Sequence, residues 1–108
     1  RGTAARPLAQ RYLIRRETMV AKWAYKPVIS GMRGAVVRGT AAAINTPAYA
    51  ICGKTGTVEN EGKDHSAFIG FAPMNNPRIA IAVFVENGGF GADVAAPIAA
   101  KIIKAYLK

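Results

Sequence analysis

Cysteine is almost missing from this chain. Cys52 stands alone, so no disulfide can form within it. A lone cysteine beside a lysine could be a reactive thiolate, but in an apolar strand it is more often a small core residue, and that reading is preferred. Histidine is equally scarce. His65 has no companions at ligand spacing, so no metal site and no cofactor is expected, and a structural or solvated role is preferred over a general base. Long apolar runs are absent too. The longest, Ile79 to Val85, has seven residues, against the ~20 of a membrane helix. The chain starts at Arg1 with neither an initiating Met nor a secretory leader, as an excised piece would. Acid is the last shortage: six Asp and Glu face 15 Lys and Arg, for a net charge of +9.

That charge is uneven. Residues 1–40 carry +8 and residues 41–108 only +1. A basic N-terminal third suits a polyanionic partner such as nucleic acid or a membrane surface. A solvated lead-in with spare arginines explains it equally well and is preferred. What is abundant is apolar: 51% of the 108 residues, which fits one packed domain burying roughly two-thirds of its unfolded surface.

Residues 1–26 read as an irregular basic lead-in. Residues 11–20 could be a strand or a short helix, and Trp23 and Tyr25 are expected as packing anchors. Pro27 suits a first helical position, and Val28, Met32 and Ala35/Val36 follow at helical spacing on one face. Gly39 suits a helix stop, and Thr40 a cap on a short turn through Ile44, broken by Asn45-Thr46-Pro47. Ala48 to Cys52 reads as a strand running into Gly53-Lys54-Thr55-Gly56-Thr57, with a polar loop from Glu59 to Asp64. Ser66 to Ala72 and Ile79 to Val85 read as two more strands. The short connections make an antiparallel meander. Both faces of Ile79–Val85 are apolar, the mark of a central strand covered on both sides. Asp93 is a candidate cap for a last helix with a stripe of Ile98, Ile102 and Tyr106, widened by Ile103 and Leu107, opposite Lys101, Lys104 and Lys108. The stripe is expected to pack on the sheet. The fold class is therefore α+β, a three-stranded antiparallel meander with helices packed on it.

The chemistry concentrates at Lys54, Thr55, Gly56 and Thr57. Side chains on a strand alternate, so Thr55 and Thr57 share one face and Lys54 takes the other. All three reach one ligand only along a strand edge, where an extended peptide could add as a further strand. Gly56 would let its backbone come close. Gly53-Lys54-Thr55 also matches the end of a phosphate loop, but that motif needs glycine at position 48, where the chain has Ala48, and a helix starting here. A plain exposed strand is the bland alternative. The third reading is the K-T-G element of serine acyl-transfer enzymes that bind penicillin.

The order of motifs decides. Gly39-Thr40-Ala41 precedes Lys54-Thr55-Gly56-Thr57. His65-Ser66-Ala67-Phe68-Ile69-Gly70-Phe71-Ala72-Pro73 follows, then a strand ending Glu86-Asn87-Gly88-Gly89, then Ala95-Ala96-Pro97-Ile98-Ala99. Over residues 28–108 this closely resembles the C-terminal end of the transpeptidase domain of class B penicillin-binding proteins, in particular the penicillin-binding protein 2 group. The resemblance makes residues 27–108 the C-terminal portion of such a domain. It implies a D,D-transpeptidase that cross-links peptidoglycan stem peptides through a serine acyl-enzyme and is acylated by β-lactams. By the same resemblance Lys54 supplies positive charge and supports proton transfer, and the hydroxyls of Thr55 and Thr57 bind the terminal carboxylate. The Thr57 N–H would serve the oxyanion, and the parent protein would sit at the bacterial inner membrane with this domain in the periplasm.

Two family motifs are missing. Ser30 is followed three residues on by Arg33 and Ser66 by Ile69, so there is no S-x-x-K, and there is no S-x-N. The chain would hold one wall of a site, inactive alone, and would need the remainder of the domain as its partner. Without it, the edge of Ile79–Val85 would pair with residues 11–20 or, as slightly preferred, with a second copy. The alternative of another class is a small basic nucleic-acid-binding module, suggested by the charge of residues 1–40 and by Gly31-Met32-Arg33-Gly34, which has the form of a KH loop. No nucleic-acid partner is expected on the preferred reading.

Overall fold

The computed structural model describes residues 19–108. Helix α1 (Lys22–Val37) leads through a 3-10 turn (Ala42–Ile44) into β1 (Cys52–Val58), β2 (His65–Ala72), β3 (Ile79–Val85) and helix α2 (Ala95–Tyr106). The strands form one antiparallel sheet in the order β1-β2-β3, as the short connections required.

The register sorts the side chains. Thr57 pairs with Ser66, Thr55 with Phe68 and Gly53 with Gly70, and these β2 residues pair onward with Val85, Val83 and Ile81. Cross-strand partners share a face. That face carries the core: Phe68 and Ala72 of the sheet, Val36 of α1, Ala41, Ile44 and Ile51 of the connection, and Ala95, Ala96, Ala99 and Ile103 of α2. The opposite face carries Lys54, Ile69, Ala80, Ala82 and Phe84, all exposed.

Several sequence expectations are corrected. Helix α1 starts at Lys22, with Pro27 inside it. This early in the helix, a proline costs one backbone bond and does not prevent the first turn, which Ala24 N–H closes onto Ala21 C=O at 2.9 Å. Trp23 is 79% exposed and Val28 58%, so neither anchors anything among the described residues. Residues 48–51 are not a strand. Pro47 turns the chain back so that Thr46 bridges Tyr49, and β1 begins only at Cys52.

Thr40 does not cap the short turn, nor Asp93 helix α2. The stripe of α2 is also rotated from the expected one. Ala95, Ala96, Ala99 and Ile103 are buried, whereas Ile98, Ile102 and Tyr106 lie outward. Small alanines let the helix axis come close to the sheet, and the bulkier stripe is left outside. Strand β3 is covered on its odd face only; Ala80, Ala82 and Phe84 are exposed. Its second edge has no strand partner among the described residues. Residues 11–20, one expected partner for it, fall almost wholly outside those residues.

Candidate active site

Strand β1 is one of the two outer strands of the described sheet, and Lys54, Thr55, Gly56 and Thr57 occupy its middle. Polar residues tolerate this place because one edge is open to water. The Lys54 side chain is exposed, and its Nζ donates to the Thr55 carbonyl at 2.9 Å, so the ammonium lies against the strand it comes from. Thr55 Oγ1 meets Thr40 Oγ1 at 2.8 Å. Thr57 Oγ1 accepts from the Gly91 N–H at 3.4 Å. The structure thus brings an ammonium and two hydroxyls to one exposed strand, with Thr55 and Thr57 on one face and Lys54 on the other.

Three supports hold this strand. Arg33 of α1 donates from Nη1 to Ile51 C=O at 2.8 Å and from Nη2 to Asn45 Oδ1 at 3.3 Å, fixing the lead into β1. Cys52 is fully buried beside it. Burial pushes its thiol up from the ordinary range and outweighs the Arg33 charge, which pulls it down. A raised, buried thiol is a core residue and not a nucleophile. On the other side, Ser66 has no exposed surface. Its Oγ donates to Phe90 C=O at 3.0 Å and accepts from Ala95 N–H at 3.0 Å. It therefore caps α2 in place of Asp93.

Sequence reasoning missed Thr40 and Ser66 as neighbours of the site. The signal for Thr40 was its place in Gly39-Thr40-Ala41. Ser66 offered one in its polarity, directly before the apolar run Ala67–Ala72. His65 is structural: its Nδ1 accepts from Asn87 N–H at 2.9 Å and its ring tilts on Phe84 at 5.4 Å. Gly31-Met32-Arg33-Gly34 lies inside α1 and not in a loop, and Arg33 is engaged with Ile51 and Asn45, so the KH-loop reading fails. A cavity of about 450 Å³ beside Lys63, Asp64, Gly89 and Phe90 includes none of Lys54, Thr55 and Thr57.

The site is therefore a helix-flanked antiparallel sheet that carries Lys-Thr-Gly-Thr on an outer strand. The chain belongs to the family of the penicillin binding protein transpeptidase domain, whose model matches residues 12–104. It is 44% identical over 73 residues to the peptidoglycan D,D-transpeptidase MrdA of Acinetobacter baumannii, covering 53% of this chain and 11% of that protein. It is 41% identical over 73 residues to PbpA of Mycobacterium tuberculosis, covering 57% and 15%. Among solved structures, PBP2 of Pseudomonas aeruginosa in complex with WCK 5153 superposes with a TM-score of 0.70 at 46% identity, over 77% of this chain and 19% of that one. The imipenem acyl-enzyme of penicillin-binding protein A from M. tuberculosis gives 0.71 at 36% identity, over 82% and 20%. The chain thus spans between a tenth and a fifth of these four relatives. Nothing in the comparisons favours the nucleic-acid module.

Proposed function

We propose that this chain supplies the K-T-G wall of a peptidoglycan D,D-transpeptidase of the penicillin-binding protein 2 group. The observation that carries the reading is the edge of β1, which has no strand partner among the described residues, with Lys54, Thr55 and Thr57 in the middle of the strand. An extended peptide added to that edge gains main-chain hydrogen bonds, and its terminal carboxylate meets the two threonine hydroxyls. Lys54 adds the positive charge and supports proton transfer beside the nucleophile. The Thr57 N–H serves the oxyanion, a contribution worth about 3–4 kcal/mol of barrier in acyl transfer. β-Lactams carry a carboxylate and a strained amide and would use the same wall.

The nucleophile belongs to a segment this sequence does not contain, since neither Ser30 nor Ser66 begins an S-x-x-K. The exposed sheet face around Ile69 and Phe84 and the outward stripe of α2 support this, being apolar surfaces that a larger domain would cover. The division into a lead-in, 1–26, and a domain portion, 27–108, belongs to this proposal. So do the stem-peptide substrate and a periplasmic site beside the inner membrane. No described helix is long and apolar enough to cross a membrane.

The test is covalent labelling by a fluorescent penicillin, read by intact mass. The chain alone should stay unlabelled. Joined to the segment bearing S-x-x-K and S-x-N, it should be labelled, and Lys54→Ala should slow labelling about a hundredfold or more with the melting temperature nearly unchanged. A stable adduct on the chain alone, or wild-type labelling by Lys54→Ala, would overturn the reading.

A further inference from the structure

Thr57 Oγ1 has one proton and two lone pairs. The Gly91 N–H takes one lone pair. What that leaves most usefully free is the proton, and a carboxylate can only accept. Donation onto the oxygen also polarises the O–H and strengthens what it donates. The direction of the Thr57 hydroxyl therefore depends on where Gly91 sits.

Gly91 is seated with little tolerance. A Cβ built on it would lie 2.5 Å from Ala67 C=O and 2.6 Å from Gly56 C=O. It thus packs against the paired backbones of Gly56 in β1 and Ala67 in β2, beside the site. Both ends of its segment are held by one atom. Ser66 Oγ donates to Phe90 C=O just before Gly91 and accepts from Ala95 N–H just after it, each at 3.0 Å. Ser66 is also the ladder partner of Thr57, so the anchor and the hydroxyl it governs are neighbours on one face. Its side chain is fully buried with both roles taken, so it meets no substrate itself.

We propose that Ser66 is a positioning residue for carboxylate recognition: it bolts the segment 90–95 to β2, which holds the Gly91 N–H on Thr57 Oγ1 and turns the Thr57 proton toward the substrate carboxylate. This rests on the reading of Thr57 as a carboxylate ligand, and the experiment separates the two. In the complete enzyme, acylation rates are measured with a penicillin bearing its free carboxylate and with the methyl ester of that penicillin. The free acid should acylate wild type faster than the ester. Ser66→Ala should slow the acid about tenfold and the ester far less, as expected for one weakened hydrogen bond to a charged group. In a Thr57→Val background, Ser66→Ala should change the acid rate less than about twofold, because its only route of action is gone. Should Ser66→Ala not fold, Gly91→Ala carries the same comparison, since it displaces the segment while leaving the Ser66 hydroxyl in place. Equal losses on acid and ester, or full multiplication of the Ser66 and Thr57 effects, would reduce Ser66 to a helix cap and overturn the inference. Equal wild-type rates on acid and ester would instead overturn the carboxylate role of Thr57 itself.

Discussion

Cys52 and Lys54 stand two places apart on one strand, yet their surroundings oppose each other. Lys54 faces water. Cys52 is buried, and desolvation raises its thiol above the ordinary value in spite of Arg33. The consequence for stability has a definite sign. A raised folded-state value favours the protonated thiol, so its contribution is complete below the ordinary thiol range, about 8.5, and is lost as pH rises through the folded value. Denaturant unfolding between pH 7 and pH 10 should show wild type losing more stability in the alkaline window than Cys52→Ala. The native thiol should also react slowly with an alkylating reagent and fast once unfolded. A thiol equally fast in both states would mean that the strand is not packed as described.

The same contrast explains which residues could be read from the sequence. Lys54, Thr55 and Thr57 announced themselves, because three polar groups in an apolar strand need water or a ligand. Thr40 and Ser66 did not. Their local neighbours suggest a cap and a strand residue, whereas their actual partners are 15 and 24 to 29 positions away. Partners at such separations are created by the fold, and no local pattern carries them.

At the scale of elements, the three strands and their order were legible because alternation and short turns leave few choices. The edges of elements were less so. Helix α1 ignored its proline, and residues 48–51 were held by a turn. Helix α2 turned its alanines and Ile103 inward, since small side chains let it sit close to the sheet. That closeness has a counterpart in the sheet. Phe68 lies over the paired glycines Gly53 and Gly70, and a Cβ at Gly70 would come within 2.6 Å of Cys52 C=O. Gly53→Ala should therefore push Phe68 out of place and cost about 1–3 kcal/mol, as overpacking does. Gly56→Ala should cost little, because its Cβ would meet only Ala67 Cβ at 3.6 Å. Thermal melts of both variants check this, and an unchanged melting temperature for Gly53→Ala would contradict the placement of Phe68.

For the whole molecule, the apolar β3 has an edge with no strand partner among the described residues, and a flat apolar edge is a template for association. We expect the isolated chain to self-associate through Ile79–Val85. Sedimentation equilibrium should give a species larger than the monomer, and Ala82→Lys, on the exposed face of β3, should shift it toward monomer. A monodisperse wild-type monomer would contradict this expectation.

The order β1-β2-β3 has one more consequence, and it concerns time. Among the described residues, every ladder contact joins strands that are consecutive in the chain, such as Thr57 with Ser66 and Ser66 with Val85. Closing short loops costs little entropy, and folds rich in local contacts form quickly. The sheet that carries Lys54 can therefore zip up from one hairpin to the next without waiting for a distant strand. The strand with Lys54, Thr55 and Thr57 would then be an early-forming part of this sheet.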